Sequence, residues 1–226
     1  MQVTMDVIAR VRSDFSGKFG IPRQSGLVPE LRARVVFEPA YRNPDMLRGL
    51  EGFSHLWLIW NFSANEGWSP TVRPPRLGGN QRMGVFATRS PFRPNPVGLS
   101  CVRLVEVQPN TPEGPVLVIA GADLLDGTPV FDIKPYVPYE DSHPEALGGF
   151  TDGAGDFLLE VDFPPALLEQ VPEHLRGGLL GVLAHDPRPS YQHDPARIYG
   201  LTFGGFNIRF RVEEKRLTVC QVERAQ

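Results

Sequence analysis

The chain is short of cysteine and of long apolar runs. Cys101 and Cys220 are its only cysteines, each inside an apolar stretch. That argues against a disulfide framework or a thiolate metal centre, and predicts two buried free thiols in a reducing cytoplasm. No apolar run approaches the roughly 18 residues that a membrane span needs. The first fifteen residues, MQVTMDVIARVRSDF, alternate like a strand and lack the continuous apolar core of a secretion signal. A GxxxxGK[ST] phosphate loop is missing, as is a GxGxxG between strand and helix. Any nucleotide-like cofactor is therefore not held in the doubly wound manner. There is no G-x-S-x-G elbow, and Ser90 stands between Arg89 and Pro91 with no base nearby in sequence, which speaks against an acyl-transfer triad. The five histidines, His55, His143, His174, His185 and His193, are scattered. Their spacing is too weak to carry a zinc site, so no metal is expected.

Acid is missing where arginine is densest. Residues 67–105 hold six arginines and no Asp or Glu, inside a chain whose net charge is −3. Within that stretch, Thr71 to Leu99 sets Arg73, Arg76, Arg82, Arg89 and Arg93 among five prolines. A guanidinium is costly to bury unpaired, so the run reads as a binding surface for carboxylate, phosphate or nucleobase. The alternative is that these arginines pair with the acidic C-terminal half. Residues 106–226 carry 19 acidic and 9 basic groups. An acidic total does not exclude a polyanionic partner, because fields act locally.

High glycine and proline, 23 each, with many short valine-rich runs favour strands and turns. The patterns predict strands over Val3–Arg12, Leu31–Phe37, His55–Phe62, Met83–Arg89 and Gly98–Val107, and two over Val116–Tyr136. HLWLIWNF, His55 to Phe62, reads as fully buried. These make a mainly β domain, barrel or sandwich, over 1–139. Residues 140–156 are acidic and turn-like and read as a linker. Residues 157–226 read as a small α+β domain: a helical stretch interrupted at Pro172, then strands over Arg197–Phe203, Phe206–Val212 and Leu217–Val222.

Three polar clusters stand out. Pro22-Arg23-Gln24 offers a rigid proline, a guanidinium fork and an amide in a loop, and reads equally as an exposed turn. In RSPFRPNP, Arg89 to Pro96, Pro94 and Pro96 hold Arg93 and Asn95 extended and pre-aimed. Asp123-Leu124-Leu125-Asp126-Gly127 sets two carboxylates beside a turn that an ordinary Asp-Gly hairpin would also explain.

The strings FGIPRQSGLVP, LRGLEGFSHLWLIW, WSPTVRPPRLGGNQRMGVFATRSPFRPNPVGLS and GADLLDGTPVFDIKPYVPY closely resemble the TsaA-like family of TrmO-type tRNA methyltransferases. DPRPSYQ and YGLTFGGFNIRFRV resemble the smaller domain of its bacterial members. The resemblance implies a TsaA-like β-barrel with a small α+β C-terminal domain, working as a homodimer. It implies S-adenosylmethionine as cofactor. It also implies methylation of N6 of N6-threonylcarbamoyladenosine (t6A) at position 37, beside the tRNA anticodon, to give m6t6A. Carried over by motif, the cofactor residues are Pro22, Arg23, Gln24, Ser63, Ala64, Arg89, Leu99, Asp123, Leu124, Leu125 and Asp126. Many bacterial relatives carry His where this chain has Ser63, which leaves backbone contacts at that position. For the implied reaction, Arg93 and Asn95 are expected to hold the threonyl carboxylate or carbamoyl oxygen. Lys134 and Tyr136 are expected to orient the substrate, and Arg73, Arg76 and Arg82 to meet tRNA phosphate. Asp126 stands between proton acceptor and turn residue. The competing functions are a non-catalytic nucleotide or RNA-binding module, and a methyltransferase for a small metabolite.

Overall fold

The computed structural model describes residues 1–74, 81–152, 158–188 and 194–225. Six antiparallel strands close into a barrel in the order β1-β2-β7-β6-β3-β8. They are β1 (Ala9–Arg12), β2 (Arg32–Phe37), β3 (His55–Asn61), β6 (Val97–Gln108), β7 (Val116–Ala120) and β8 (Pro129–Pro135). β4 (Thr71–Val72) and β5 (Met83–Gly84) pair outside the barrel. Closure removes the free edges that an open sheet would expose.

Period-two patterning fills the barrel. Leu56, Leu58 and Trp60 of β3 point inward, joined by Val11, Val35, Phe37, Val102, Leu117, Ile119 and Val130. β3 is therefore not buried on both faces as its composition predicts. His55, Trp57 and Ile59 take the outer face and are half-buried. Trp57 there packs against Tyr136, ring centroids 5.9 Å apart.

Two other predicted strands shorten. β1 begins only at Ala9, because its ladder partners end there: Ala9 faces Phe37 on one side and Val130 on the other. The predicted strand Met83–Arg89 stops after Gly84 and turns into a 3₁₀ segment, Val85–Ala87. The Thr88 hydroxyl closes that turn on the Val85 carbonyl at 2.9 Å.

A short helix α1 (Pro138–Asp141) follows the barrel. The C-terminal part has a four-stranded sheet in the order β10-β11-β12-β9, built from β9 (Glu160–Asp162), β10 (Tyr199–Phe203), β11 (Phe206–Glu213) and β12 (Arg216–Arg224). Helices α2 (Pro165–Leu168) and α3 (Glu173–Ala184) precede it, with Pro172 at the α3 N-cap as expected of a residue that cannot donate. Leu175, Leu179, Val182 and Leu183 form the buried stripe of α3, at spacings that share one helix face. Both cysteines are free, but only Cys101 is partly buried. Cys220 lies on the outward phase of β12 and is exposed, against the sequence expectation.

Candidate active site

A cavity of about 510 Å³ opens at one end of the barrel, within the range of about 300–1,000 Å³ usual for small-molecule sites. Five separate segments meet there: the loop Lys18–Gln24, the end of β3 with Phe62–Asn65 beyond it, Thr88–Arg93, the start of β6, and the β7–β8 loop. Trp60, Phe62, Val97 and Leu99 provide apolar wall, and Arg23, Arg89, Arg93 and Asp123 provide charge. Among the described residues Asp123 is the one carboxylate on this wall.

The polar groups are held by one another. Trp60 Nε1 donates to Ser100 Oγ at 3.0 Å, and that hydroxyl donates to Asp123 Oδ1 at 2.7 Å. Arg89 Nη1 donates to Gln24 Oε1 at 2.7 Å, joining the arginine run to the Pro22-Arg23-Gln24 loop across 65 residues of sequence. Lys18 Nζ reaches the Ala64 carbonyl and closes another side. Arg93 Nη1 donates to the carbonyls of Thr88, at 2.6 Å, and Val85, at 3.1 Å. Its guanidinium also lies over the Phe86 ring, 5.7 Å from the centroid.

Most residues singled out from the sequence converge here: Pro22, Arg23, Gln24, Ser63, Ala64, Arg89, Arg93, Leu99, Asp123 and Leu125 all line the cavity. Others lie elsewhere. Leu124 is 1% exposed and points into the barrel core. The Asp126 carboxylate accepts from the Ser13 amide at 3.0 Å and stands 3.7 Å from Arg12, off the cavity wall. Asn95 is exposed and outside the lining. Lys134 pairs with Asp132 at 2.9 Å, and Tyr136 packs on His55 and Trp57, both away from the cavity. Arg73 is exposed, Arg82 donates to Thr71 Oγ1 at 2.8 Å, and Arg76 lies outside the described residues, as does His193. Among the described residues no three His, Cys, Asp or Glu side chains group as metal ligands.

Sequence reading missed Lys18, Trp60, Phe62, Thr88, Gly98 and Thr128 on the wall, and Ser100 behind it. Ser100 did leave a signal. It is a lone hydroxyl on the inward phase of an apolar strand, 1% exposed, and a buried hydroxyl requires partners.

Burial raises the Asp123 carboxyl above its usual 3.8, although the Ser100 hydroxyl, backbone amides and Arg89 act in the opposite direction. A carboxyl with a raised folded pKa binds its proton more tightly in the native state. It leaves stability untouched below the unfolded value, and stability falls as pH rises from there through the folded value. Asp123→Asn keeps an acceptor for Ser100 and removes that loss. The variant is expected to unfold at a higher temperature than wild type at neutral pH, with the difference vanishing in acid. Asp14, also raised by burial, remains in both proteins, so thermal unfolding across pH isolates Asp123. Parallel curves would remove this account.

Residues 10–142 match the family model described as the tRNA-methyltransferase O N-terminal domain, and residues 157–225 match the TrmO C-terminal domain. A tRNA (adenine(37)-N6)-methyltransferase from Escherichia coli is 42% identical over 226 aligned residues, covering 96% of each chain. RcsF of Pseudomonas aeruginosa, named for S-adenosylmethionine-dependent methyl transfer, is 40% identical over 220 residues, covering 93% of each. A crystal structure of TrmO from Pseudomonas aeruginosa matches with a TM-score of 0.81 at 33% identity, covering 100% of this chain and 98% of that one.

Proposed function

The chain belongs to the tRNA-methyltransferase O family, and from that premise we propose that it uses S-adenosylmethionine to methylate N6 of t6A at tRNA position 37, giving m6t6A. The observation that carries this reading is the cavity itself, where the family strings meet and three arginines and one recessed carboxylate face apolar wall. That donor set suits a zwitterionic, adenine-bearing cofactor. Arg89 would hold its carboxylate, Asp123 its positive charge, and Trp60, Phe62 and Leu99 its flat ring.

The cofactor supplies a methyl group already activated on sulfonium. What remains for the protein is to place that group in line with N6 and to keep water out. N6 of t6A is a ureido nitrogen, poorly basic, so its orientation must be held. Arg93 lines the same cavity as Arg89, and its guanidinium fork would suit the threonyl carboxylate. Asp126 is engaged with Ser13 and Arg12 and is not used as a proton acceptor in this scheme. Arg73, Arg76 and Arg82 are proposed to meet tRNA phosphate, with a homodimer as the working form in the cytoplasm. Trp68, Phe86 and Phe92, all exposed, are large apolar groups in or near the cavity-forming segments and support the dimer.

The test uses the purified chain, methyl-labelled S-adenosylmethionine, and tRNA with and without t6A. Label in m6t6A is expected only with the modified tRNA. Binding should weaken with salt, with a log–log slope of roughly −0.7 to −0.9 per phosphate contact. Equal labelling of unmodified tRNA would overturn the t6A assignment. Binding of both molecules without transfer would favour a non-catalytic module.

A further inference from the structure

The loop that brings Arg23 and Gln24 to the cavity belongs to two cores at once. Its backbone is tied to the barrel. Asp126 N donates to the Phe15 carbonyl at 2.9 Å, Gly26 N to Gly121 O at 2.8 Å, and Gly121 N to Leu31 O at 3.0 Å. Its large side chains, however, leave the barrel. Phe15, Val28 and Leu31 are 1–3% exposed and lie in the C-terminal core with Leu179, Leu183, Leu201 and Phe203. Phe15 meets Phe203 edge-on at 5.3 Å.

The C-terminal part also binds the loop backbone. Gly204 N donates to the Asp14 carbonyl at 2.8 Å. His185 Nε2 stands 3.0 Å from the Leu27 carbonyl, which can only accept, so Nε2 carries the hydrogen. The packing leaves no slack. Gly20 has φ +88°, and a Cβ there would overlap Leu201 Cδ1. A Cβ at Gly181 of α3 would overlap Val28 Cγ1. Between Gly20 and Leu27, the two points held from behind, lie Arg23 and the Gln24 amide that receives Arg89.

We infer that the C-terminal part braces the cofactor-site loop from behind, and that His185 and Leu201 are positioning residues that set affinity for S-adenosylmethionine without touching it. The inference rests on the cofactor reading above. Neither residue lines the cavity, so any effect on the cofactor must pass through the loop. Loss of the His185 bond frees the Leu27 carbonyl and lets Gln24 drift from Arg89. Loss of the Leu201 side chain removes what Gly20 rests on.

The experiment measures S-adenosylmethionine Kd by calorimetry on the full chain, with hydrogen exchange of residues 19–27 and thermal unfolding in parallel. His185→Ala and Leu201→Ala are each expected to raise Kd about tenfold, the scale of one lost hydrogen bond or packed contact, and to speed exchange in the loop. His185→Gln, whose amide nitrogen can replace Nε2, is expected to restore both. Val219→Ala truncates the same core on β12 and serves as control: it should lower the unfolding temperature and leave Kd unchanged. Wild-type binding with unchanged Kd in His185→Ala and Leu201→Ala overturns the inference, as does an equal rise in Val219→Ala. Absence of binding to the wild-type chain overturns the cofactor reading and the inference with it.

Discussion

Arg89→Ala is expected to lower kcat/KM for methyl transfer by about a hundredfold, mainly through a higher KM for S-adenosylmethionine. A hydrogen bond to a charged group contributes about 1.5–3 kcal/mol, and each 1.4 kcal/mol is tenfold. Arg89 is exposed and its one hydrogen bond among the described residues is to Gln24, so its removal should leave the unfolding temperature almost unchanged. Two effects coincide in this variant. The cavity loses a cation suited to the cofactor carboxylate, and Gln24 loses the group that holds it in place. Arg89→Lys keeps the charge without the fork and should recover only part of the rate. Initial rates over a matrix of cofactor and tRNA concentrations provide the check. Near-wild-type kinetics for Arg89→Ala would remove this residue from the site.

Arg93→Ala is expected to reduce kcat by about ten- to hundredfold while changing cofactor affinity much less. The structure adds a complication that the sequence does not show. Arg93 already holds the Val85 and Thr88 carbonyls and lies over Phe86. Both hydrogen bonds use Nη1, and Nη2 makes none among the described residues. One edge of the guanidinium therefore fastens the segment that carries Arg89, and the other is the edge that the proposed substrate role would use. The two jobs separate experimentally. If fastening were all that Arg93 did, its loss would displace Arg89 and appear chiefly as a raised KM for the cofactor. A substrate role appears as lost turnover with saturating cofactor. An unchanged kcat would take Arg93 out of substrate binding.

Much of the barrel could be read from local pattern. Strand phase is set by alternation, so β2, β6 and β7 emerge close to where Leu31–Phe37, Gly98–Val107 and the first half of Val116–Tyr136 predict them. The departures have local causes too. Val3 to Val7 has the composition of a strand but no strand partner among the described residues, and Met83–Arg89 is broken by a turn that Thr88 and Arg93 close with their side chains. The residues Arg89, Arg93, Gln24 and Asp123 were legible because unusual strings carried them. Trp60 was not, because a buried tryptophan in an apolar strand looks like core until its partner is known, and Ser100 showed only as a lone buried hydroxyl whose partners the sequence does not name.

The chain's own sequence determined the mainly β character, the acid-free arginine run on a proline-stiffened backbone, and the strings that mark its family. All three depend on residue type and short-range order. The tertiary structure decided which of those residues share a cavity. Barrel closure brings the 18–24 loop, the end of β3, the arginine run and the β7–β8 loop to one rim, and ladder register determines which way each side chain faces there. It also turned Asp126 toward Ser13 and Arg12 and set Lys134 and Tyr136 outside the cavity. Finally, it buried Phe15, Val28 and Leu31 in the C-terminal core, a pairing across more than 100 residues that no local pattern encodes because it rests on shape and burial between distant surfaces.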